Sequence, residues 1–258
     1  MSGRVSLVGA GPGDPGLLTR TAVARLCKAD LVLYDALVDR RVLRHARRAQ
    51  KFFVGKRAGR HSTTQETIHA LMIRAARRGR RVVRLKGGDA FVFGRGGEEA
   101  LALERAGVRY DVVPGVTSAI AAPAAAGIPV THRGIASAFL VVSGHDDRVF
   151  ASAIGALEPN GVTVVVMMGL GRSPAIAAAL MNRGWRRATP AAVVVDATRP
   201  QQRVWRGTLD DLAADRVELE ASGAGTIVVG DVAALRIGQR AAGAGAIDAI
   251  GAVRRARR

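Results

Sequence analysis

Apolar residues fall in short blocks divided by glycine, proline and charge, and the blocks alternate between strand-like runs and helix-like spacing along the chain. Residues 4–8 form an apolar run that enters Gly9-Ala10-Gly11-Pro12-Gly13-Asp14-Pro15-Gly16, after which residues 17–28 repeat their apolar positions at helical spacing. Residues 31–35 read as a second strand, 38–49 as an arginine-rich helix and 52–54 as a third strand. Ser62-Thr63-Thr64-Gln65-Glu66 carries a capping-box signature, Ser62 with Gln65 or Thr63 with Glu66, opening a helix to Gly79. A strand over 81–85, a helix over 98–106 and a strand over 110–113 follow, and Pro114-Gly115-Val116-Thr117-Ser118-Ala119 starts another helix. Glycine and proline in residues 127–134 then break the pattern. It restarts with strands at 138–143, 163–167, 191–195 and 226–230, helices at 174–183 and 209–220, and a further strand at 203–206. Strands alternating with helices predict an α/β protein. The expected organisation is an N-terminal α/β domain (1–128), a C-terminal α/β domain (129–240) and a basic, disordered Gly/Ala/Arg tail (241–258).

The richest loop chemistry lies in Lys86-Gly87-Gly88-Asp89-Ala90-Phe91-Val92-Phe93-Gly94-Arg95-Gly96-Gly97-Glu98-Glu99, at the carboxyl end of a strand, where α/β proteins keep their ligands. Its five glycines let the backbone approach a bound molecule, while Lys86, Asp89 and Arg95 bring charge; Phe91 and Phe93 are expected to pack beneath them. Upstream, Gly11-x-Gly13-x-x-Gly16 with Asp35 about twenty residues on satisfies the dinucleotide fingerprint. Two prolines, Pro12 and Pro15, delete backbone donors, and Asp14 puts negative charge where a pyrophosphate needs positive potential. A neutral or cationic ligand such as a sulfonium suits this loop better than a nicotinamide dinucleotide, which leaves an oxidoreductase as a remote alternative. Gly55-Lys56-Arg57-Ala58-Gly59-Arg60-His61 reads as an acid-binding loop or a solvated basic turn. Thr117 and Ser118 can cap a helix and face a ligand; Met168, beside Gly169, fits either an adenine pocket or a core.

Charge widens the choice of partner. The net charge is +18, and among the 39 basic residues only Lys28, Lys51, Lys56 and Lys86 are lysines. A solvated arginine surface, a nucleic acid and a polyanionic small molecule all fit that excess. No aromatic stacking platform or nucleic-acid motif accompanies it, which disfavours nucleic acid. One cysteine, Cys27, excludes an internal disulfide or cysteine-cluster metal site and reads as a small core residue of a helix. No metal-ligand spacing, basic-then-apolar leader or membrane-length apolar run appears, so a soluble cytoplasmic protein without a metal is expected.

Five stretches in order complete the reading: Val8-Gly9-Ala10-Gly11-Pro12-Gly13-Asp14, Val54-Gly55-Lys56-Arg57-Ala58-Gly59, Arg84-Leu85-Lys86-Gly87-Gly88-Asp89 with Phe93-Gly94-Arg95-Gly96, Pro114-Gly115-Val116-Thr117, and Pro129-Val130-Thr131-His132-Arg133. Over residues 5–235 the chain resembles the uroporphyrinogen-III C-methyltransferases, a branch of the S-adenosylmethionine-dependent tetrapyrrole methyltransferases. The resemblance implies two α/β domains with the methyl donor in the cleft between them, usually in a homodimer, methylating C-2 and C-7 of uroporphyrinogen III to give precorrin-2 and S-adenosylhomocysteine. By motif it implies Pro12, Gly87, Gly88, Asp89, Val92, Thr117, Ser118, Met168 and Ala197 around the donor. Asp35 and Lys56 take the positions of proton acceptor and donor; Asp35 also reads as the partner of a nearby arginine, and Lys56 as a carboxylate-binding group. Arg57, Arg60, His61 and Arg95 are the expected contacts to the polyanionic tetrapyrrole. Ala90 and Ala197 depart from the proline and glycine common at those positions. Without the N-terminal domain of fused sirohaem synthases, the chain is expected to stop at precorrin-2 and to feed sirohaem or cobalamin synthesis. A later corrinoid precursor or RNA is the alternative substrate.

Overall fold

The computed structural model describes residues 3–55, 63–159, 161–219 and 223–238. The expected tail, 241–258, lies outside them, as do Lys56, Arg57, Arg60 and His61. The chain divides into two compact units, Met1–Ser118 and Ala119–Arg258.

The first unit contains β1 (Arg4–Gly9), α1 (Arg20–Cys27), β2 (Leu31–Tyr34), β3 (Gln50–Phe53), α2 (Gln65–Arg77), β4 (Arg81–Lys86), α3 (Gly96–Arg105) and β5 (Tyr110–Val113). Its five strands are all parallel, in the order β3-β2-β4-β1-β5. Parallel neighbours need crossover connections, and the helices of those crossovers cover both faces of the sheet. On one face Val83 and Leu85 of β4 cluster with Leu26 and Val42; on the other Val82 clusters with Met72 of α2 and Leu103 of α3. The strand period of two therefore turns Arg84 and Lys86 toward α2 and α3.

Three local expectations are corrected. The helix expected over 38–49 is a 3-10 turn, Arg40–His45. Its bonds, Val42 N–H to Asp39 O and Ala46 N–H to Leu43 O, span three residues, so buried Val42 and Leu43 meet the core without a four-residue ladder. α2 starts at Gln65 rather than at Ser62 or Thr63, because Thr64 Oγ1 accepts the Thr67 N–H at 3.2 Å. Cys27 is exposed, since Ala22 and Leu26 form the buried stripe of α1.

The second unit holds α4 (Ser118–Ala125), β6 (Ala138–Ser143), α5 (Asp147–Ala153), β7 (Val162–Met167), α6 (Ser173–Met181), β8 (Pro190–Val195), β9 (Arg203–Thr208), α7 (Leu209–Ala213) and β10 (Gly225–Val229). Its sheet order is β6-β7-β10-β8-β9, with β6 and β7 parallel and the other pairs antiparallel. Phe150, Ile176, Leu180, Leu209 and Leu212 cover one face. Ala122 and Ala126 pack with Val194 and Val228 on the other, which is why the units divide at Ser118 rather than at 128/129. Sequence spacing did not announce α5, which Asp146 caps by accepting the Arg148 and Val149 amides at 2.8 and 3.0 Å. α7 ends at Ala213, short of the expected 220, and Asp215 beyond it is left-handed (φ 54°).

Candidate active site

At the carboxyl edge of β4-β1-β5 three glycine loops are tied together through backbone. Gly11 donates to Gly88 O at 3.1 Å and Gly88 donates back to Gly11 O at 2.8 Å, while Ala10 donates to Lys86 O at 2.7 Å. Asp89 closes the third side. Its Oδ2 accepts the Gly115 N–H at 2.8 Å and its Oδ1 the Phe91 N–H at 2.8 Å. The loops touch so closely that a Cβ on Gly9 would lie 2.6 Å from both Gly88 O and Gly115 Cα. Gly88 itself has φ +63°, facing Ser118. In the first loop Asp14 Oδ1 accepts the Gly16 N–H at 2.8 Å, so the carboxylate occupies the turn that a phosphate would need. Successive connections leave β1 and β4 toward opposite sides of the sheet, the topology at which open α/β sheets place their ligands.

Beneath the loops runs a buried charge network. Arg84 donates from Nη2 to Asp35 Oδ1 at 2.6 Å and from Nε to Glu99 Oε1 at 2.9 Å. Lys86 Nζ donates to the same Glu99 oxygen at 3.0 Å and stands 3.7 Å from Asp35 Oδ2. Gln65 Nε2 adds a third donor to Glu99 Oε1 at 3.1 Å, whereas Oε2, also buried, has no hydrogen-bond partner among the described residues. Burial, followed by the Arg84 charge, pushes the Lys86 ammonium below the ordinary lysine range; Glu99 and Asp35 act in the opposite direction. The Asp35 side chain remains 25% exposed, unlike Arg84 at 2% and Glu99 at 0%.

In the second unit β7 and β8 both run antiparallel to β10, so their carboxyl ends share an edge. Three non-glycine residues there are left-handed: Met168 (φ 56°), Asp196 (φ 49°) and Thr198 (φ 65°). Such backbone costs about 1–3 kcal/mol per residue and clusters at ligand sites. Ala197 lies between two of them, and Thr198 N–H donates to Gln202 Oε1 at 2.7 Å. Met168 is 51% exposed, which corrects the core-filling alternative.

The family model for Tetrapyrrole (Corrin/Porphyrin) Methylases matches residues 4–213. The chain belongs to the tetrapyrrole methylases. It is 44% identical over 235 residues to the uroporphyrinogen-III C-methyltransferase of Methanocaldococcus jannaschii, covering 90% of this chain and 97% of the relative. It is 48% identical over 236 residues to the siroheme synthase of Neisseria meningitidis, but covers only 48% of that longer protein. Among solved structures, uroporphyrin-III C-methyl transferase of Thermus thermophilus complexed with S-adenyl homocysteine matches at 45% identity and TM-score 0.76, covering 89% of this chain and 98% of that one.

In this methylase the structure gathers Pro12, Gly87, Gly88, Asp89, Val92, Thr117 and Ser118 on the loops at the carboxyl edge of the first sheet, and Met168 and Ala197 at the equivalent edge of the second. Asp89 accepts two backbone amides, and its bond to Gly115, 26 residues away, is invisible in sequence. Phe91 and Phe93 do not pack beneath the loop; they are 56% and 43% exposed. Arg95 pairs with Glu98 at 2.6 Å on the surface. Asp35 has the arginine partner that its second reading expected. Sequence reasoning passed over Glu99 and Arg84, although an arginine inside a parallel, doubly covered strand is itself a signal that a buried anion must meet it.

Proposed function

We propose that this methylase transfers methyl groups from S-adenosylmethionine to C-2 and C-7 of uroporphyrinogen III, giving precorrin-2 and S-adenosylhomocysteine on the route to sirohaem or cobalamin. The carrying observation is the first glycine loop. Pro12 and Pro15 have no N–H to give, Asp14 takes the Gly16 amide for itself, and the loop is pinned to Gly88, so it suits a cationic or neutral ligand and not a pyrophosphate. That fits a sulfonium donor, and the near full-length relationship to uroporphyrinogen-III C-methyltransferases supports the substrate.

On this reading Pro12, Gly87, Gly88, Asp89, Val92, Thr117, Ser118, Met168 and Ala197 hold the donor, which when bound supplies an electrophilic methyl group. The chain's task is alignment of the pyrrole carbon behind that methyl, a form of catalysis worth roughly 7–11 kcal/mol in favourable systems. Once the carbon is alkylated the ring loses a proton. Asp35 takes it on Oδ2, because Oδ1 is engaged by Arg84 at 2.6 Å while the nearest cation to Oδ2, among the described residues, is Lys86 at 3.7 Å. Lys56 is the proton donor, and Arg57, Arg60, His61 and Arg95 receive the substrate carboxylates, drawn by the net charge of +18. A homodimer in the cytoplasm completes the proposal; no helix of the described residues is long and apolar enough to cross a membrane.

The test is anaerobic incubation with labelled S-adenosylmethionine and uroporphyrinogen III, following product mass. A gain of two methyl groups is expected. Donor binding without transfer would move the substrate to a later corrinoid precursor or RNA, and binding of a nicotinamide dinucleotide in its place would overturn the donor. Asp35→Asn is expected to lower turnover while leaving donor affinity nearly unchanged.

A further inference from the structure

Four charged side chains meet beneath the glycine loops, and stability alone does not account for them. Arg84, Lys86 and Glu99 are almost wholly removed from water, and burying such ions costs several kcal/mol each; apolar residues of similar volume commonly leave a fold as stable or more so. The geometry instead has a direction. Glu99, on the first turn of α3, gathers Arg84 Nε and Lys86 Nζ on one oxygen, at 2.9 and 3.0 Å. Each cation also faces a different oxygen of Asp35, Arg84 through Nη2 at Oδ1 and Lys86 through the same Nζ, 3.7 Å from Oδ2. Asp35 is the only member with substantial exposure, 25% of its side chain. The network thus has a dry anchor and one wet end.

We propose that Glu99 is a positioning residue: through Arg84 and Lys86 it fixes the orientation of the Asp35 carboxylate, with Oδ1 bonded to Arg84 and Oδ2 facing the Lys86 ammonium from 3.7 Å, beyond hydrogen-bond distance and so able to take a proton. This rests on the reading of Asp35 as proton acceptor. Two-residue spacing on β4 puts both cations on the same face, and Gln65 of α2 holds the same Glu99 oxygen at 3.1 Å, so rotation of Glu99 is opposed from α2 and β4 together. Arg84 grips firmly; Lys86 is the adjustable member. Its ammonium is disfavoured by burial and by Arg84 and is sustained by Glu99 and Asp35. Among the described residues, the other charged or titratable groups nearby are Glu98 on α3, which feels Lys86, Arg95, which feels Glu99, and His69 on α2, 3.2 Å from Gln65. Removing the Glu99 charge takes away the larger of the two supports, so Lys86 loses its proton at lower pH and Asp35 loses one of its two holds.

Glu99→Gln keeps the shape and removes the charge. In the full chain with S-adenosylmethionine and uroporphyrinogen III, the alkaline limb of kcat is expected to move to lower pH by about one unit, a tenfold shift in the proton concentration at which Lys86 discharges. Affinity for S-adenosylhomocysteine at neutral pH is expected to stay within about twofold, since no donor-side backbone bond is touched. Glu99→Asp, which restores the charge, should return the limb toward its original position. Lys86→Met is the second probe if Glu99→Gln does not fold: it removes the titrating group, and the part of the alkaline limb that Lys86 sets should be lost. A Glu99→Gln profile parallel to the parent at every pH, or an unchanged limb in Lys86→Met, overturns the positioning role while leaving Asp35 as acceptor. Full turnover in Asp35→Asn overturns the acceptor reading, and the positioning role with it.

Discussion

Asp89→Asn tests whether the carboxylate of the central loop serves the ligand directly or serves the backbone. In the structure both oxygens are spoken for, Oδ2 by the Gly115 N–H and Oδ1 by the Phe91 N–H, each at 2.8 Å. The Phe91 bond is exposed and contributes little. The Gly115 bond is partly buried and accepted by a charge, a class worth about 1.5–3 kcal/mol. An asparagine that keeps its oxygen toward Phe91 turns its NH2 toward the Gly115 N–H, donor against donor. A loss of about 2–3 kcal/mol follows, which at roughly 2–4 °C per kcal/mol for a chain of this size lowers Tm by about 4–12 °C. The specific readout is amide hydrogen exchange at Gly115 without ligand, whose protection should fall roughly tenfold or more. Donor affinity should fall as well, because the Gly88 and Gly115 loops lose their tie. A ligand-free Asp89→Asn protein with unchanged Tm and unchanged Gly115 exchange, yet weakened donor binding, would refute the clamp and restore the carboxylate as a direct ligand group.

Gly9→Ala should be more damaging, because its Cβ would meet Gly88 O and Gly115 Cα at 2.6 Å and both neighbours are backbone; a loss of about 3 kcal/mol or more is expected by urea denaturation. Capture of the polyanionic tetrapyrrole by a chain of net charge +18 should weaken with salt, seen as a several-fold rise in KM between about 0.05 and 0.5 M ionic strength with kcat little changed. At the acid end, the Arg81 hydrogen bond holds the Asp30 carboxyl down at about 2, below its ordinary 3.8. Its folded pKa is the lower one, so its contribution is complete above the ordinary value and disappears as pH falls from about 4 to 2. Because the side chain is 36% exposed, that contribution is below about 1 kcal/mol, and Asp30→Asn should flatten the acid slope of the urea midpoint by no more than this.

The elements that sequence spacing located best are short strands bounded by turn signals. The strands at Tyr110–Val113 and Ala138–Ser143 occupy the expected residues although each lies at a sheet edge with one buried residue, Val113 and Val142, because β-branched and aromatic side chains between turns favour extended backbone. Residues 38–49 misled because Val42, Leu43 and Ala46 are buried at spacings that a 3-10 turn satisfies as well as a helix. α5 escaped notice because of its seven residues only Phe150 is buried, so it has no apolar stripe to read. The glycine loops were legible as a site, since glycine excess and left-handed backbone are local properties. What each loop residue does was not. Asp89 finds Gly115 across 26 residues and Arg84 finds Asp35 across 49, distances over which no periodicity speaks.

The same distinction bears on Asp35, for which sequence left two readings, proton acceptor or partner of an arginine. The structure makes them compatible. A carboxylate has two oxygens, and Arg84 occupies one at 2.6 Å while the nearest cation to the other, among the described residues, is Lys86 at 3.7 Å. Pairing at Oδ1 restrains the group without consuming Oδ2, and the restraint has a use: an acceptor must meet its proton at hydrogen-bond distance, and a carboxylate free to rotate would spend much of its time elsewhere. The cost of the arrangement is a set of buried charges that apolar residues could replace without loss of the fold. Replacement of Arg84 by an apolar residue alone would leave Glu99 buried with less compensation, at about 3–5 kcal/mol. Replacement of the whole set would spare the fold but release Asp35. An arginine within β4 is therefore better explained by what it holds at the strand's end than by what it adds to the core around it.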